Sequence, residues 1–71
     1  NISGTLIKKA REDRGMSKVE LSQLLDTYGI YINTDELLRI EKNQVLVKDF
    51  ELVAVASILD IDLNNLKNYL N

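Results

Sequence analysis

Cysteine, histidine, proline and tryptophan are all missing from the 71 residues of the chain. Without cysteine or histidine, disulfides, thiolate and imidazole metal sites, cysteine nucleophiles and imidazole acid–base chemistry are excluded. No apolar run approaches the about 18 residues that a membrane span needs. No basic-then-apolar segment of the kind that opens a secreted precursor is present either, so a cytoplasmic location is expected. What remains is 45% apolar and 28% charged, the balance of an ordinary folded domain rather than of a disordered tail.

A chain of 71 residues makes one domain. At 8.1 kDa it keeps about 4,500 Å² of the about 11,700 Å² exposed when unfolded, a small core worth a few kcal/mol net. Such a core can hardly enclose the about 300 Å³ that an enzyme pocket requires. The serines, lysines and carboxylates have no Gly-rich phosphate loop or nucleophile elbow beside them. A binding module without a cofactor is therefore expected, not an enzyme. The first residue is Asn1 rather than Met, as expected of a trimmed or cut chain, so a further C-terminal domain belongs among the expectations.

The net charge of −2 and pI near 4.9 argue against a whole-surface attraction to nucleic acid. The charges are uneven, however. Residues 1–18 hold Lys8, Lys9, Arg11, Arg14 and Lys18 against Glu12 and Asp13, a balance of +3. Residues 49–71 hold Asp49, Glu51, Asp60 and Asp62 against Lys67, a balance of −3. A basic end turned to a partner and an acidic end turned away suits DNA binding, and it suits a solvated helical surface equally.

β-branched alternation is weak outside the short runs Gly29–Ile32 and Val45–Val47, and helical periodicity dominates. A first helix is predicted over about 3–14, with Ile7, Ala10 and Arg14 on one stripe, Leu6 beside it and Gly15 as a positive-φ stop. Ser17-Lys18-Val19-Glu20 matches a capping box and opens a second helix over about 18–26, with Leu21, Leu24 and Leu25 inward. Asn33-Thr34-Asp35-Glu36 opens a third over about 34–42, with Leu37 and Ile40 inward and Asn43 as its left-handed stop. A fourth covers about 48–59. Its Leu52, Val55, Ala56 and Leu59 form one buried stripe and Phe50, Val53, Ala54 and Ile58 a second, so the helix is either central to the core or shared with a second subunit. Asp62 caps a last helix over about 63–70, which carries Leu63, Leu66 and Leu70. Short helices joined by short loops predict a compact all-α domain.

The residues Arg11, Gly15, Met16-Ser17, Glu20-Leu21-Ser22, Leu37, Ile40-Glu41, Asp49-Phe50-Glu51-Leu52, Val55-Ala56, Leu59, Ile61-Asp62 and Leu66 stand in the order and spacing of a known family. Over about residues 3–67 the chain resembles the Cro/repressor-type, XRE-like helix-turn-helix domains, also called lambda-repressor-like. The resemblance implies a five-helix fold and an ion pair between Arg11 on the first helix and Glu41 ending the third. It also implies that the third helix enters the DNA major groove with its N-terminal residues against base edges. Carried over residue by residue, Thr34, Asp35, Leu38 and Arg39 would meet the groove. Ser17 and Lys18 would meet a phosphate at a helix N-terminus, and Lys42, Asn43 and Gln44 the backbone beyond. Arg39 suits guanine O6 and N7, and Thr34 suits a base edge or a thymine methyl.

The departures from the family pattern matter as much. Asp35 and Glu36 favour the helix N-terminus but repel phosphate, and only a cytosine N4 donor would welcome one of them. Val45 and Leu46 stand where relatives tend to be basic, which implies fewer phosphate contacts and a shallower salt dependence. The link between helices two and three is longer than a tight turn by about five residues, Thr27 to Tyr31, so it needs anchors of its own, and Ile30 and Ile32 are the candidates. Tyr28 and Tyr31 could reach the sugar–phosphate chain or simply cover the apolar surface of the loop. Asp60-x-Asp62-x-Asn64 begins like a calcium loop, but Asn65 and Asn71 stand where Gly and a bidentate Glu are required, so no metal is expected.

The resulting expectation is a sequence-specific DNA-binding domain of a transcriptional regulator, a homodimer on a palindromic operator in double-stranded DNA. Its rival is a helix-turn-helix scaffold serving protein–protein contact, antitoxin-like, which Asp35, Glu36, Val45 and Leu46 motivate.

Overall fold

The structure, a computed structural model, describes residues 3–62. Within them run four helices, α1 (Ser3–Asp13), α2 (Lys18–Thr27), α3 (Thr34–Glu41) and α4 (Asp49–Leu59), and no strand occurs among the described residues. The fifth helix expected over 63–70 lies outside the described residues, as do its Leu63, Leu66 and Leu70.

Local hydrogen bonding explains where each helix starts and stops. At α2, Ser17 Oγ accepts from Glu20 N at 3.1 Å and Glu20 Oε1 accepts from Ser17 N at 3.2 Å, a complete capping box. At α3, Asn33 Oδ1 accepts from Glu36 N at 2.8 Å. At α4, Glu51 Oε1 accepts from Lys48 N at 3.0 Å, a cap made without a Ser, Thr, Asp or Asn at the N-cap position. The ends are equally regular. Gly15, Gly29, Asn43 and Asp60 all take positive φ, and the residue after each donates its N–H to a carbonyl five residues back. Met16, Ile30, Gln44 and Ile61 are those donors, so the orphan carbonyls of four helix ends are satisfied in the same way.

α1 and α2 each pack against both α3 and α4. The buried core draws Ile7 from α1, Leu21 and Leu25 from α2, Ile30 and Ile32 from the link, Leu37 and Ile40 from α3, and Leu52, Val55, Ala56 and Leu59 from α4. Three expected stripes need correction. The buried line of α1 runs through Ser3, Gly4, Ile7 and Arg11, at i, i+1, i+4 and i+8, while Arg14 is exposed and Leu6 and Ala10 flank the line. On α2, Leu21 and Leu25 fill the core, whereas Leu24 falls to the side of their line and is 39% exposed. The second stripe of α4 divides: Ala54 is buried and Ile58 packs on the core, while Phe50 and Val53 are 61% and 55% exposed.

Candidate functional site

The side of α3 that faces inward is fixed by an unusual pair for so small a core. Arg11 and Glu41 are both buried and meet in a two-pronged ion pair, Nε to Oε2 at 2.7 Å and Nη2 to Oε1 at 3.0 Å. The remaining guanidinium nitrogen, Nη1, donates to the Met16 carbonyl at 2.8 Å. One side chain thus ties α1 to the turn before α2 and to the last residue of α3. The hydrogen bond to Glu41 raises the Arg11 pKa above its ordinary value; burial opposes this, and the negative charges of Glu41 and Glu12 add to it. No buried side-chain polar atom among the described residues lacks a partner, so the ion pair has the full hydrogen bonding that a buried charge requires.

A second tie joins the opposite end of α1 to the same, C-terminal end of α3. Asn43, left-handed just beyond α3, accepts from Gly4 N through Oδ1 at 3.0 Å and donates through Nδ2 to Thr5 Oγ1 at 2.9 Å. One of the orphan N–H groups in the first turn of α1 is thereby capped by a residue of a different segment. Asn43 was expected at the DNA backbone, but both functional groups of its amide are committed to α1. A Cβ added at Gly4 would lie 1.9 Å from the Ile40 carbonyl oxygen, so α1 and α3 approach here to a distance that only glycine permits. No local sequence signal marks Gly4 for this approach.

With Leu37, Ile40 and Glu41 buried, the outward side of α3 is settled by helical geometry. Asp35, Leu38, Arg39 and Lys42 are exposed and fall at i, i+3, i+4 and i+7, one continuous stripe. Thr34 and Glu36 are half-buried at its opening, and Gln44 is exposed beyond its end. Lys18, half-buried, is the first residue of α2, behind the Ser17 cap. Lys18, Arg39 and Lys42 make no ion pair with any described residue. Their charges are offset locally by Asp35 and Glu36, so the stripe is mixed rather than uniformly basic.

The link between α2 and α3, residues 28–33, holds its own shape. Ile30 N donates to Leu25 O at 3.0 Å and Ser22 Oγ donates to Ile32 O at 2.6 Å. Ile30 and Ile32 are buried, as expected of its anchors, and Tyr31 between them is 82% exposed. The expectation that both tyrosine rings cover the loop's apolar surface fails for Tyr31, because the strand-like alternation across Ile30, Tyr31 and Ile32 turns its ring outward. Tyr28 instead lines an open groove of about 450 Å³ with Ile30, Phe50, Val53, Ala54 and Ser57. After α3, Val45 is partly exposed and Leu46 is 72% exposed.

Among the described residues no group of three or more acidic side chains could hold a metal ion, and no helix is long and apolar enough to cross a membrane. Asp60 ends α4 in the left-handed region, and Asn64 of the calcium-like spacing lies outside the described residues. Comparison of the chain with protein-family models, with curated proteins and with solved structures finds no match.

Proposed function

We propose that the chain is a lambda-repressor-like helix-turn-helix domain that binds double-stranded DNA in a sequence-specific manner, with α2 and α3 as the helix-turn-helix pair. The reading is carried by one observation: the stripe Asp35, Leu38, Arg39 and Lys42 projects from a helix whose reverse side is locked by a buried ion pair. A rigid helix that holds a guanidinium outward, here in its last turn, suits major-groove readout of guanine. Lys18 and the free N–H groups opening α2 are suited to a phosphate, and Lys42 to the next one. Thr34 reads an adjacent base edge. Because one copy offers few cations, two copies act together on half-sites about one helical turn apart. The exposed Phe50 and Val53 of α4 supply apolar surface for that pairing. The role is that of a transcriptional regulator in the cytoplasm.

In a low-salt titration with duplex DNA, Lys18→Ala is expected to weaken binding and to lower the slope of log affinity against log salt by about 0.9, the share of one phosphate. Arg39→Ala is expected to weaken binding to the preferred duplex by about tenfold, within the range for a lost bidentate base contact. If both variants match the unaltered chain in affinity and salt slope, this face does not bind DNA.

A second reading is favoured by the exposure of Leu46 and Val45 next to the acidic opening of α3. A partly apolar, locally acidic surface suits a protein partner, and the domain would then be an antitoxin-like interaction module. A chain that ignores duplex DNA but self-associates or pairs through Val45 and Leu46 would establish it.

A further inference from the structure

We infer that Tyr31 is a further DNA-contacting residue, placed to grip the sugar–phosphate strand just outside the N-terminal end of α3. The inference rests on the DNA-binding reading above and extends it to a position outside both helices of the pair.

Three observations carry it. First, Tyr31 is the most exposed large hydrophobic side chain among the described residues, at 82%, so an aromatic ring with a hydroxyl donor stands largely in solvent. Second, its backbone is held on both sides. Ile30 and Ile32 are buried, Ile30 N is bonded to Leu25 O, and Ile32 O accepts from Ser22 Oγ. A ring presented from so fixed a backbone loses little conformational freedom on binding. Third, Tyr31 lies three residues before Thr34, the first residue of α3, which is the end that a recognition helix turns toward base edges. A long side chain leaving the chain there reaches the strand that borders the groove.

The surrounding carboxylates repel a phosphate, a cost that any contact here must overcome, and they also decide which donor can serve. Asp26 lines the same shallow crevice as Tyr31, with Ser22 and Asn33, and Asp35 follows in the first turn of α3. A cation beside these carboxylates would be drawn into pairing with them. A phenol hydroxyl stays available to donate to a phosphate oxygen while its ring lies against a deoxyribose. Such a contact fixes register and carries no sequence information of its own.

The test uses the whole chain and a duplex recovered by selection from a random pool, carrying two half-sites about 10 base pairs apart, with affinity measured across a salt series. Tyr31→Phe is expected to bind about threefold more weakly, through the lost hydroxyl, and Tyr31→Ser about tenfold, through hydroxyl and ring together. Neither should alter the salt slope, because a neutral donor displaces no counterion, and neither should move the melting temperature. If Lys18→Ala weakens binding while both Tyr31 variants bind like the unaltered chain, the inference is wrong and the DNA-binding reading stands. If the unaltered chain retains no duplex from the pool even at low salt, both fall.

Discussion

Glu41→Ala is expected to destabilise the domain by about 3–5 kcal/mol, because it leaves a buried guanidinium without its carboxylate. A helical chain of this size has only about 3–5 kcal/mol to lose, so urea denaturation should find the variant largely unfolded at 25 °C. Arg11 is not freed by the change: Nη1 remains bound to the Met16 carbonyl, and the charge stays where water reaches it poorly. The paired replacement Arg11→Met with Glu41→Leu should recover most of the loss, since two apolar side chains of similar volume carry no desolvation penalty. A loss below about 1 kcal/mol for Glu41→Ala, the value of an exposed ion pair, would contradict the reading of this contact as a brace. The pH behaviour follows from the raised pKa of Arg11. A cation whose folded pKa lies above its unfolded one stabilises fully below the unfolded value and loses that contribution only as pH rises through the folded one. Both values lie far above neutrality, so the arginine's share is constant across the neutral range and disappears only in strong alkali.

Gly4→Ala is expected to cost about 3 kcal/mol, at the upper end for inserting a methyl group where no space exists. The added Cβ would sit 1.9 Å from the Ile40 carbonyl oxygen and 2.7 Å from Asn43 Oδ1. The first of these is backbone, which moves only if α3 moves. Gly15→Ala is the informative contrast. Nothing lies within 4 Å of a Cβ there and only the φ of +63° opposes it, so about 1 kcal/mol is expected. Thermal or urea unfolding of the two variants side by side distinguishes a steric seam between α1 and α3 from a general intolerance of glycine replacement. Equal losses at the two positions would contradict the close approach.

The four described helices were legible because their signals are local. Ser17 with Glu20, Asn33, Gly15 and Asn43 act within a few residues of themselves, and each does in the structure what its type suggests. Leu52, Val55, Ala56 and Leu59 were legible for the same reason, since a stripe repeats along one helix. What the sequence concealed is tertiary. Gly4 looks like an ordinary small residue in a helix until the Ile40 carbonyl is brought against it. Asn43 reads as a polar group after a recognition helix, free for phosphate, until α1 arrives to use its amide. Gly29 sits in a β-branched run, and only the bond from Ile30 N to Leu25 O reveals it as the end of α2. The contact between Arg11 and Glu41 came from a family resemblance, because thirty intervening residues leave no periodicity to connect them. Tyr31 was ambiguous for a different reason: whether a ring folds back or projects depends on which neighbours are buried, and a period-2 run of three residues does not say.

Selection of bound duplexes from a random pool, with the sequences of the retained DNA read out, bears most directly on α3 as a DNA-reading helix. The expected result is a palindromic motif with half-sites about 10 base pairs apart, centre to centre. Each half-site should contain a guanine whose enrichment disappears when the selection is repeated with Arg39→Ala. A pool that emerges without enrichment from the unaltered chain, or a motif that Arg39→Ala leaves intact, would contradict the assignment.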